Sequence, residues 1–139
     1  MAKSFTYRFG RLVRDKTVPE YKVDDSILAI DYHKLNPLEY KQALVDKLHE
    51  EADEIPVQDM ADDAVVAELA DTYDVLRALM DAYGVSNEMI KVASEKKAQK
   101  RGGFAERDYI ETITTTLDSP WRTYCLNDPE RYPEVKADA

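Results

Sequence analysis

"KLHEEADEIPVQDMADDAVVAELAD", residues 47–71, decides the fold, because it holds the end of one amphipathic helix, a proline stop, a polar turn and the start of a second helix. Upstream, Asn36 caps and Pro37 suits the first helical position, while Glu39 stands where a capping-box acid reaches back. Leu44, Leu48, Ala52 and Ile55 then recur every three to four residues, and Leu38 and Ala43 extend the stripe backwards. Pro56 disfavours α geometry at the residue before it, so this helix is expected to end near Glu54 or Ile55.

The second helix takes Asp59, Asp62 or Asp63 as its cap. Its apolar face runs through Val65, Leu69, Ala70, Tyr73, Leu76, Leu79, Met80 and Tyr83 to Gly84, which tolerates the left-handed conformation that closes a helix. Ser86 caps a third helix that ends at Gly102 and Gly103. Around this core, "FTYRF" (5–9) and "SILAIDY" (26–32) alternate as short strands do. "YIETITTTL" (109–117) reads as a strand or a frayed fourth helix, and the chain from Asp118 as an irregular tail. The fold class is mainly α, a helical bundle with short extended segments at the termini.

A chain of 139 residues suits one domain. Its net charge of −9 and pI near 4.7 disfavour a stable nucleic-acid partner, which needs clustered Lys and Arg. No apolar run reaches the ~18 residues of a membrane helix, and "MAKSFTYRFGRLVRDK" lacks the apolar centre of a secretory signal. Cys125 is alone and offers no intramolecular disulfide. The expected location is the cytoplasm.

Between Leu44 and Gly84, twelve carboxylates stand against Lys47 and Arg77. Residues three apart share a helix face. Glu51 and Glu54 form one such pair, and Glu68 with Asp71 forms another on the next helix. A short connection favours antiparallel packing, which lets the pairs face each other. Four carboxylates at one point repel, and a hard cation held by oxygen ligands relieves them; Mg²⁺ fits best, with Mn²⁺ also suitable. The plain alternative is a solvated acidic face. A di-iron site is excluded, since it needs an acid followed by histidine at three residues on two helices. The only histidines are His33 and His49, and His49 reads as a packed or surface side chain.

The arrangement "EADE" (51–54), a spacer and "ELAD" (68–71) resembles the all-α nucleoside triphosphate pyrophosphohydrolases of the MazG type, which include phosphoribosyl-ATP pyrophosphohydrolase. A subgroup of that family also carries "LVRDK", here at 12–16, "KLxEExxE", here "KLHEEADE" at 47–54, and "KxxxRGGF", here at 97–104. The resemblance covers residues 11–105. One departure is "RDKTVPE" where the subgroup reads "RDKIPE", a residue shorter.

The resemblance implies a single MazG-like domain over residues 1–139: an N-terminal arm (1–35), a helical metal-binding core (36–105) and a C-terminal extension (106–139). It implies Mg²⁺ held by Glu51, Glu54, Glu68 and Asp71, and hydrolysis of a nucleoside triphosphate between the α and β phosphates, giving the monophosphate and pyrophosphate. Glu51 belongs to the catalytic set through the metal. Glu50 or Asp74 is the spare acid that accepts a proton, holds a second metal or stands by.

Lys97 and Arg101 share a face at the end of the third helix and are expected on phosphates, or else they complement the helix C-terminus. Arg14 and Lys16 are further substrate ligands, oriented by Asp15. Lys47 binds substrate or pairs with neighbouring acids. Tyr73 and Phe104 stack on a base or pack. A thin core and the habit of related proteins to assemble point to a homodimer. The competing reading is a non-enzymatic helical module whose acidic face binds a basic partner or stores divalent ions.

Overall fold

The computed structural model describes residues 3–135 and is helical, with no strand among those residues. Five helices follow in order: α1 (Thr17–Lys22), α2 (Pro37–Asp53), α3 (Asp63–Tyr83), α4 (Asn87–Arg101) and α5 (Pro120–Leu126). The chain divides into two units, Met1–Lys96 and Lys97–Ala139.

In the first unit the caps do what their chemistry dictates. Asn36 Oδ1 accepts from the Glu39 N–H at 2.8 Å, with Pro37 opening α2. Glu39 answers through the Asn36 side-chain amide rather than its backbone N–H. Asp62, of the three candidates, caps α3, its Oδ1 accepting from the Val65 N–H at 3.0 Å. Gly84 closes α3 at φ 67°, the left-handed region glycine enters without a Cβ penalty. The Met89 N–H donates to Ser86 Oγ at 3.1 Å at the head of α4. α2 stops at Asp53, slightly short of the expected end, and Glu54 becomes its C-cap.

α2 and α3 pack on each other and run antiparallel. Lys41 of early α2 lies 4.7 Å from the ring centroid of Tyr83 at the end of α3, while Glu51 of late α2 meets Glu68 and Asp71 of early α3. Leu44 of α2 is the one buried apolar side chain among the described residues, 2% exposed. Before α2, Phe9 meets Tyr21 of α1 edge-on with ring centroids 6.3 Å apart.

The short strands expected at 5–9 and 26–32 do not form. No strand lies alongside among the described residues to take ladder hydrogen bonds, and a lone strand has nothing to hold it. In the second unit, 109–117 is neither strand nor helix. The tail is less irregular than expected: Ser119 Oγ accepts from the Trp121 N–H at 3.2 Å and Pro120 opens α5. Tyr124 meets Trp121 edge-on and Tyr132 at a tilt, with centroids 5.8 and 5.3 Å apart.

Candidate metal centre

The antiparallel pairing of α2 and α3 places Glu51, in the last turn of α2, opposite Glu68 and Asp71 in the second and third turns of α3. One carboxylate oxygen from each lies within 4.8 Å of the others. Glu51 is buried, 8% exposed, and is the one buried charged side chain among the described residues. Burial pushes its carboxyl above the ordinary carboxylate range, and repulsion from Glu54 adds to this while Lys47 opposes it. Glu68 is likewise held above its usual range, first by desolvation and then by Glu54, Asp71 and Glu51.

Glu68 Oε2 is shut off from water and accepts no hydrogen bond. An orphaned carboxylate oxygen of this kind is costly, because it has surrendered its hydration and received nothing in return. Three carboxylates offering hard oxygen donors at one point, with one oxygen of Glu68 unpartnered, fit a divalent cation such as Mg²⁺ or Mn²⁺.

Glu54 stands beside the three rather than among them. It is the C-cap of α2, with αR backbone geometry. It still acts on the site, as the raised carboxyls of Glu51 and Glu68 show.

The arm brings cations to the rim. Arg14 forks two acids of α3, Nη2 to Asp71 Oδ1 at 2.7 Å and Nη1 to Asp74 Oδ2 at 3.1 Å. Its guanidinium is held above its ordinary value by the Asp74 hydrogen bond first, and by Asp71 as well. Arg11 pairs with Glu50. Lys47 lies 3.5 Å from Glu50 and 3.7 Å from Glu51, one turn along its own helix. Glu50 and Asp74, the two spare acids, are therefore both ion-paired, and Lys47 takes the pairing role.

Lys16 is exposed and makes no ion pair among the described residues, and Asp15 makes no hydrogen bond to Arg14 or Lys16 there. Arg14 is oriented by Asp71 and Asp74 instead. Tyr73 is exposed under Arg77, whose guanidinium carbon lies 5.7 Å from the ring centroid. In the second unit, Lys97 and Arg101 are exposed on the last turns of α4 and Phe104 is 97% exposed. Arg11 is the residue that sequence reasoning passed over. Nothing in the local sequence marks it, since its partner Glu50 lies 39 residues away.

Comparison with family models, with characterised proteins and with solved structures yields no match.

Proposed function

We propose that the protein is a Mg²⁺-dependent nucleoside triphosphate pyrophosphohydrolase, with Glu51, Glu68 and Asp71 holding the metal and Glu54 adjoining it. The observation that carries the reading is the meeting of those three carboxylates across α2 and α3, with Glu68 Oε2 sealed from water and unpartnered. When bound, the ion supplies positive charge for phosphate oxygens and acidifies a water molecule, the chemistry this reaction needs. Water attacks the α phosphorus, the bond from that phosphorus to the bridging oxygen breaks, and pyrophosphate leaves with that oxygen. The water's proton passes to a nearby carboxylate.

The chain's own part is to position and to neutralise. Arg14 and Arg11 hold Asp71, Asp74 and Glu50 in place from the arm, and both side chains are more than half exposed, so a polyphosphate can recruit them. Lys16, exposed in the same unit as the three carboxylates, is free to meet the departing pyrophosphate. The reading includes a cytoplasmic location and a homodimer. The protein works on free nucleotides, not on nucleic acid or membrane, and among the described residues no helix is long and apolar enough to cross a membrane.

The test is the purified chain with a panel of triphosphates and Mg²⁺, assayed for monophosphate and pyrophosphate together. Both products are expected in equal amount. Glu68→Ala and Asp71→Ala are each expected to lower the rate by about a hundredfold or more while keeping the helical circular dichroism, as losing a group that stabilises transition-state charge does. Inorganic phosphate as the product, or full activity in both variants, contradicts the assignment. Ion binding with no turnover of any triphosphate leaves the ion-storing module in its place.

A further inference from the structure

Within the first unit, the arm is tied down by charge. Among the described residues, no backbone–backbone hydrogen bond joins residues 3–13 to a helix. Leu12 and Val13 are half-buried between two exposed arginines. The polar contacts that carry the arm onto α2 and α3 are the pairs of Arg11 with Glu50 and of Arg14 with Asp71 and Asp74. The Arg14 side chain is 64% exposed, Asp71 40% and Asp74 50%. Exposed ion pairs of this kind hold weakly, so a second cation can exchange for the first.

Asp71 is claimed twice. Its Oδ1 accepts from Arg14 Nη2 at 2.7 Å, and the same carboxylate completes the set with Glu51 and Glu68. Asp74, the other acid under Arg14, is outside that set. The guanidinium is thus a cation already seated on one of the three members. A divalent ion drawing on Asp71 meets a positive charge bound to the same carboxylate, and each cation weakens the hold of the other. The coupling is reciprocal: the factor that the arm takes from the ion's affinity is the factor that the ion takes from the arm's.

We propose that Arg14 is a latch on Asp71 that a divalent ion opens. With Arg14 on Asp71, the carboxylates hold the ion less tightly. With the ion on Asp71, Arg14 keeps only Asp74 and the arm loosens around residues 11–16. Filling of the metal centre is thereby coupled to release of the arm, and Arg14 is offered to an anionic ligand after the ion is in place. The latch rests on the reading of Glu51, Glu68 and Asp71 as a metal centre, and it needs no turnover of any nucleotide.

Mn²⁺ binding to the full chain is measured by calorimetry, without nucleotide, in the wild type, in Arg14→Ala and in Arg8→Ala. Arg8 is exposed and makes no ion pair among the described residues, so its loss removes the same charge and leaves the latch intact. Arg14→Ala is expected to tighten Mn²⁺ by about fivefold or more, the low end of ordinary coupling between sites, and Arg8→Ala by less than about twofold. Trypsin gives a second measurement on the unaltered chain, because cleavage follows the population of the opened segment. Saturating Mn²⁺ is expected to speed the cut after Arg14 by about fivefold or more, relative to the cut after exposed Arg107 of the second unit. Saturable binding that Arg14→Ala leaves unchanged or weakens, equal tightening in Arg8→Ala, or a cut after Arg14 that Mn²⁺ does not speed overturns the latch and leaves the metal centre standing. No saturable binding in any of the three proteins overturns both.

Discussion

Glu68 enters α3 within two turns of the cap and finishes with one oxygen sealed from water and no donor to meet it. Glu51, buried on the facing helix, is in the same position with respect to charge. Both carboxyls are raised above their ordinary value of 4.5. The folded protein therefore keeps these protons to a higher pH than the unfolded chain does. Where the folded state binds more protons, stability falls as pH rises, here from about 4.5 through the raised folded values. The urea midpoint of metal-free protein is expected to drop across that window towards neutrality, and Glu51→Gln is expected to flatten the drop. Asp24 and Asp62 are held below 3.8 by local hydrogen bonds and titrate beneath the window, so they do not mask it. A midpoint that rises between pH 4.5 and 7, or one unmoved by Glu51→Gln, contradicts the reading of these two side chains.

At the scale of elements, α2, α3 and α4 were legible because each carries its own stop and start signals. Asn36 with Pro37, Asp62, Gly84 and Ser86 act locally, through hydrogen bonds and backbone conformation that need no distant partner. Asp62→Ala is expected to cost about 1 kcal/mol of stability by removing the acceptor for the Val65 N–H. Gly84→Ala is expected to cost about 1 kcal/mol or more, since it forces a Cβ into the left-handed region. Denaturant unfolding measures both, and no loss in either variant contradicts the capping account.

α1 and α5 escaped notice because they are six and seven residues long, too short to display a period, and each contains a proline that reads as a breaker. The carboxylate pairing was legible from the spacing of three on consecutive helices. Glu54, expected in the same set, is the C-cap of α2 and stands close enough to raise the carboxyls of Glu51 and Glu68. The pairing of Arg11 and Arg14 with acids 39 to 60 residues away was not legible at all, since it depends on how the arm folds back.

For the whole molecule, a net charge of −9 and an acidic cluster on α2 and α3 make cation binding the property on which the account turns. A cation that binds the folded state alone also stabilises it, by an amount that grows with the logarithm of its concentration over its Kd. Thermal unfolding of the first unit thus reports the same event as a binding isotherm. The most direct measurement is a calorimetric titration of the intact chain with Mn²⁺, paired with its unfolding temperature. A saturable site is expected in the wild type together with a rise in unfolding temperature, and both are expected to vanish in Glu68→Ala and in Asp71→Ala. Binding that persists unchanged in those variants, or no saturable binding in the wild type, contradicts the account.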